Sequence, residues 1–220
     1  MARRLTRYLA LSVLPAGHGA RSGTRVLFAL MLVLQALGMQ QARSQERLAK
    51  ESYESAEAAF VGVFITSGLG LRAFFENREY AAALYQLPDG SWHATPSVPG
   101  SRLASAIPYH AVPLDAVFIA GAHTHGQPHI PEDPDHDYGR EFSNIDRTTA
   151  LRNFQISRGK ICKQLLLTSD MRILRLRFDE RALPSAENLP TVGGVHDRID
   201  VLGRLGLDGR VDEAAAREIP

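Results

Sequence analysis

The chain has 220 residues, 45% of them hydrophobic and 22% charged, which fits an ordinary globular domain with an appendage. With 18 Gly, 12 Pro and a single Cys, it is neither collagen-like, mucin-like nor a disulfide scaffold. The net charge of +1 is uneven, because residues 1–44 hold six Arg and no acidic residue. The remainder is acidic overall and gives no basic face for nucleic acid.

The N-terminus reads as an address. Arg3, Arg4, Arg7, Arg21 and Arg25 precede an apolar run from Val26 to Leu37, followed by the small-x-small exit Ala42-Arg43-Ser44. That order predicts a secretory signal. The run falls short of the ~20 apolar residues that span a bilayer. Residues 1–44 are therefore expected to be a cleaved signal peptide or an uncleaved N-terminal anchor. The protein is expected to be exported, periplasmic or secreted, or anchored by residues 26–38. Only in the anchored case does it touch a membrane.

Spacing of apolar residues predicts a helix from Glu46 to Thr66, broken at Ser67-Gly68-Leu69-Gly70, with a short second turn after it. Tyr80 to Leu87 reads as a strand and Pro88-Asp89-Gly90 as a turn, returning through Ser91 to Val98 as a hairpin. Residues 101–113 carry little periodic signal. Ala116 to Ala122 is a continuous apolar run of the kind a central strand shows. Gln127 to Phe142, with three Pro and five acidic residues, is a loop. Ser143 to Ile156 reads as a helix, and Lys163–Thr168 with Met171–Phe178 as a hairpin around Ser169-Asp170. Residues 180–220 are expected to form a peripheral tail with a short helix near Asp212–Glu218. Cys162 reads as a small buried hydrophobe, and Arg172, Arg175 and Arg177 as a solvated cationic strip.

The chemistry concentrates in one stretch. His123 and His125 stand at the exit of the expected central strand, two residues apart and so on one face. Asp146 lies one turn into the helix opened by Ser143-Asn144-Ile145-Asp146, where it is placed to supply a third ligand. Two His and a carboxylate, with a fourth position left to water, make a catalytic zinc site rather than a structural one. The same donor set also suits Fe(II). Glu79 is the candidate general base, and Ser143 the candidate hydrogen-bond donor to an oxyanion. The competing reading of Ser-x-x-Asp is a helix capping box. His129 and His136, in the acidic loop, are loop residues or additional ligands. The sequence has no His-Glu-x-x-His, no Gly-x-Ser-x-Gly and no Pro-Cys-x-x-Cys.

Glu79, then His123-Thr124-His125, then Ser143-Asn144-Ile145-Asp146 resembles the JAB/MPN metalloprotease pattern, also called JAMM. The wider segment from Glu51 to Phe178 resembles a bacterial domain-of-unknown-function family, number 4329. The stretches that carry this likeness include Asn77-Arg78-Glu79-Tyr80, Val98-Pro99-Gly100, Phe142-Ser143 and Leu167-Thr168-Ser169-Asp170. The resemblance implies an α/β (α+β) fold over residues 46–179, a mixed β-sheet flanked by helices with cytidine-deaminase-like architecture. It also implies one zinc ion and hydrolysis of a peptide or isopeptide bond in a protein or peptide substrate. The alternative is a JAMM-like interaction module without turnover, associated with a toxin or effector. Three departures from the JAMM pattern stand out. Gly126 follows the second His where Pro is usual, seventeen residues separate His125 from Ser143, and Ala81 and Ala82 take the small Gly positions after the upstream Glu.

Overall fold

The computed structural model describes residues 51–127, 139–179, 197–206, 208 and 210–214. The signal or anchor segment, the loop His129 and His136, and residues 215–218 of the expected C-terminal helix lie outside the described residues.

The fold is mixed α/β, built on one mixed sheet with few helices. Helix α1 runs Ala56–Phe60 and passes into a π-helical segment, Val61–Thr66. Helix α2, Leu69–Glu76, follows. Within the described residues the first helix thus starts ten residues later than its spacing suggested. Ser55 takes the N-cap, accepting a hydrogen bond from the Ala58 N–H at 3.0 Å. Just before it, Tyr53 is drawn into an antiparallel bridge with Trp92, and an extended Tyr53 cannot also be helical.

The strands are β1 Tyr80–Gln86, β2 Trp92–Ala94, β3 Val98–Pro99, β4 Phe118–Thr124, β5 Ile161–Leu167, β6 Arg172–Phe178, β7 Asp197–Leu205 and β8 Val211–Asp212. Their order is β2-β1-β4-β5-β6-β7-β8, with β3 also pairing β1. The expected second hairpin arm is therefore split in two, interrupted around Pro96, which has no N–H to give a ladder. The β4–β5 pair is parallel and every other pair is antiparallel. That parallel pair needs a crossover, and helix α3, Asn144–Ile156, lies within it.

Alternation divides the sheet into two faces. Tyr80, Ala82, Leu84, Ala120, Ala122, Leu165 and Leu167 pack with Phe60, Val63, Phe64 and Leu69. On the opposite face Leu166, Leu174 and Leu176 pack with Ala150 of α3 and with Phe142. His123 belongs to this second face, since it stands opposite Ala81 on β1 and Leu166 on β5.

The C-terminal region is not simply a peripheral tail. β7 pairs with β6 from Phe178↔Asp197 to Arg172↔Arg204, and β8 adds a short edge. Asp212 belongs to β8, not to a helix. The cationic strip on β6 is also not left to solvent. Arg175 pairs with Glu57 at 3.1 Å and with Asp200 at 3.0 Å, Arg177 pairs with Asp200 at 2.9 Å, and Arg172 with Asp170 at 2.9 Å. These cross-strand charges specify the β6–β7 pairing that apolar content alone does not announce. Cys162 is half-buried, with its thiol against the Ile119 carbonyl, and burial pushes its pKa up.

Candidate metal centre

Strand β4 carries the chain into the site. His125 lies one residue beyond it, yet its N–H still bonds the Leu167 carbonyl at 2.9 Å, so the extended course continues. Thr124 turns to the other side, where its hydroxyl accepts the Tyr80 N–H at 3.0 Å. His123 and His125 therefore emerge on the same face, with ring centroids 5.2 Å apart. Both are buried, at 2% and 7% exposure.

The third residue arrives from α3. Ser143 caps that helix, accepting the Asp146 N–H at 3.1 Å. Asp146 Oδ2 in turn accepts the Ser143 N–H at 2.9 Å and its hydroxyl proton at 2.7 Å. The capping box is real, and it also fixes the carboxylate in place. Asp146 Oδ1 then stands 3.5 Å from His123 Nε2, and Oδ2 stands 3.6 Å from His125 Nε2.

These spacings fit a shared cation better than direct hydrogen bonds. Both nitrogens of His123 are buried with no hydrogen-bond partner among the described residues. An unpaired buried imidazole is costly unless something else meets it. Ligands at zinc bond lengths in a tetrahedron stand about 3.3 Å apart, close to the two separations seen here. His125 shows the supporting contact such ligands use: its Nδ1–H donates to the Gly139 carbonyl at 3.2 Å, with Nε2 on the side of Asp146. His123, His125 and Asp146 form a group that can hold a metal ion, with candidate ligand atoms all within 4.8 Å of one another.

The electrostatics agree. Burial alone would raise the Asp146 pKa, but the two imidazoles and Ser143 outweigh it and hold the carboxyl well below the usual range. Burial works against charging His123, yet Asp146 and Glu79 more than offset it and raise its pKa. The same negative potential that favours an imidazolium favours a cation.

Glu79 sits at the same place, 7% exposed, just before β1. It lies two residues before Ala81, which faces His123 across the ladder, so the β1–β4 register sets Glu79 opposite His125. Its N–H bonds the Ser101 carbonyl and its carbonyl accepts the Gly100 N–H, both at 2.8 Å. Ser105 donates its hydroxyl proton to Glu79 Oε2 at 2.8 Å. Burial raises the Glu79 pKa above that of an ordinary carboxylate, with Asp146 adding to it, and the imidazoles and Ser105 only partly reverse this. A carboxylate whose proton affinity is raised this way suits general-base work near neutral pH.

Gly126 now has a structural reason. A Cβ there would meet Asn77 Oδ1 at 2.8 Å and the Arg78 nitrogen at 2.9 Å. The segment leading to Glu79 thus packs directly on the backbone following His125, pinned by the Gln127 N–H donating to Asn77 Oδ1 at 3.0 Å. Gly126→Ala is expected to cost about 1–3 kcal/mol by overpacking. Thermal unfolding would register it as a drop of several degrees, and an unchanged Tm would show that this contact yields freely.

All five sequence-derived candidates, Glu79, His123, His125, Ser143 and Asp146, line one cavity of about 630 Å³. Ser105, Tyr109 and Gln164, which also line it, were missed. Ser105 and Tyr109 lie in the aperiodic 101–113 stretch, and Gln164 reads as an ordinary strand residue, so no local pattern marks them. Ser143 has one hydroxyl proton, and here it is given to Asp146. Ser143→Ala therefore separates two roles. If the residue mainly holds Asp146, metal affinity is expected to fall about 10–100-fold. If it mainly donates to an oxyanion, kcat falls with the metal retained. Equilibrium zinc titration beside turnover measures both.

No protein-family model matches the chain, and comparisons with curated proteins and with solved structures return no match either.

Proposed function

We propose that the chain is a zinc-dependent metallohydrolase of JAMM type, with that family's sheet architecture, cleaving a peptide or isopeptide bond. The observation that carries this reading is the convergence of three potential ligand side chains and a buried Glu on one cavity. The ordered Glu, His-x-His, Ser-x-x-Asp pattern adds support.

His123, His125 and Asp146 would hold the ion. When bound, zinc lowers the pKa of water and polarises a carbonyl. The chain's own groups do the rest. Glu79 accepts the proton of the attacking water and returns it to the leaving amine. Ser105 orients the Glu79 carboxylate through the bond to Oε2. The Ser143 hydroxyl would have to turn away from Asp146 to serve a developing oxyanion. The same three donors suit Fe(II) as well, but the reading needs only a Lewis acid, and hydrolysis needs no redox change.

A module that only binds a partner would have no use for a cavity reaching its buried carboxylate. Here the cavity is lined by Glu79 together with all three candidate ligands, which favours catalysis. Incubation of the zinc-loaded chain with a mixed peptide library, read by mass spectrometry, tests the reading. New amine termini that vanish with chelation are expected. No cleavage of any peptide or isopeptide-linked substrate by zinc-loaded protein would leave the binding-module alternative.

A further inference from the structure

The cavity extends well past the metal end, and its inner part has a distinct chemistry. Its inner part is bordered by Ile107, Tyr109, Asn153 and Gln164, beside the point where β4 carries no side chain, at Gly121. A Cβ at Gly121 would stand 2.6 Å from the Tyr109 hydroxyl and 2.7 Å from Ile107 Cδ1. Those two residues therefore lean over bare backbone. Beside Gly121 on β5, in register with it, is Gln164, 5% exposed. Helix α3 closes the far side with Asn153, two turns beyond Asp146.

The polar groups of this inner part are not equally satisfied. The Tyr109 hydroxyl and the Asn153 side chain bond each other. Gln164 Oε1 is buried with no hydrogen-bond partner among the described residues. At the mouth, Leu103 and Ile145 are 59% and 78% exposed, apolar side chains facing solvent at an opening. Beyond Glu79 and Asp146, Arg102 is the one charged residue among the described residues lining the cavity.

An unpaired buried acceptor imposes a standing cost, and a ligand that supplies a donor removes it. A ligand that merely fills the space leaves the cost in place, and one that brings a charge adds desolvation to it. From this we infer that the inner cavity is a specificity pocket for an uncharged, largely apolar substrate side chain that ends in an N–H or O–H donor, which Gln164 receives. Calling the ligand a substrate side chain rests on the hydrolase reading above. A pocket built to bond a donor rejects the analogue lacking it more strongly than a hydrophobic pocket rejects a missing methylene.

Three small probes test this by NMR titration of the zinc-loaded chain: hexanamide, its near-isostere 2-heptanone, and hexylammonium. Hexanamide is expected to bind at least about tenfold more tightly than 2-heptanone, with shifts at Gln164 and Asn153, while hexylammonium is excluded. In Gln164→Leu the preference for the amide is expected to vanish, with Tm unchanged or higher. Equal affinity for amide and ketone in the unaltered chain would overturn the proposal, whether or not the variant folds, as would an undiminished preference in Gln164→Leu. Zinc content of the same sample keeps the two readings apart. Hexanamide preference in a chain that holds no zinc sustains the pocket and removes the hydrolase. Zinc without that preference removes the pocket and leaves the metal site standing.

Discussion

Glu79→Gln is expected to keep the metal and lose turnover by about 10²–10⁴-fold, the range that general-base removal gives. The substitution is nearly isosteric, and Ser105 can still donate its hydroxyl proton to the amide oxygen that replaces Oε2. Backbone bonds to Ser101 and Gly100 are untouched. Glu79 is a buried carboxylate whose pKa is raised by that burial, so a neutral amide is no burden to folding there. The variant should therefore unfold at or above the temperature of the unaltered chain. Turnover retained in full, with zinc bound, would remove Glu79 from the mechanism and leave the base to be sought elsewhere.

Asp146→Ala is expected to act twice, on the metal and on the helix. Removing one of three ligands should abolish tight zinc binding, because His123 and His125 alone leave the ion two-coordinate to protein. The same change deletes one half of the α3 capping box, at a cost of about 1 kcal/mol. A ligand held at a hundred times its Kd stabilises the native state by about 2.7 kcal/mol. Added zinc should therefore raise the Tm of the unaltered chain by several degrees and leave that of the variant where it was. An equal zinc-induced rise in both proteins would place the ion somewhere other than Asp146.

Much of the fold was legible because its elements advertise themselves locally. Tyr80 to Leu87 and the Pro88-Asp89-Gly90 turn combine an apolar run with turn chemistry, and Gly90 indeed takes a positive φ of 87°. Strand β4 is a continuous apolar run, as a strand buried in mid-sheet should be. Helix α3 is announced by its capping box, and β5 and β6 by apolar content around Ser169-Asp170. The site was legible for the same reason: a His-x-His at a strand exit and an Asp three residues into a capped helix are local facts. What brings these local pieces together is the β4–α3–β5 crossover.

What was illegible is non-local. β7 mixes Ile199, Val201 and Leu205 with Asp197, Arg198, Asp200 and Arg204, and Asp200 has meaning only beside Arg175 and Arg177 on a neighbouring strand. The start of the first helix could not be read from its own spacing, because the bridge from Tyr53 to Trp92 at the sheet edge holds the preceding residues extended. Ser105 and Gln164 acquire roles only through the sheet register and the loop folded over Gly121. The glycine after His125 looked like a departure from a pattern and is a packing requirement.

His123, His125 and Asp146 together are expected to hold one catalytic zinc. Elemental mass spectrometry of the purified chain, beside its Asp146→Ala variant, tests it most directly. One zinc per chain in the unaltered protein and none in the variant is the expected result. No metal in either protein after exposure to zinc would contradict it, and the buried His pair would then need another explanation.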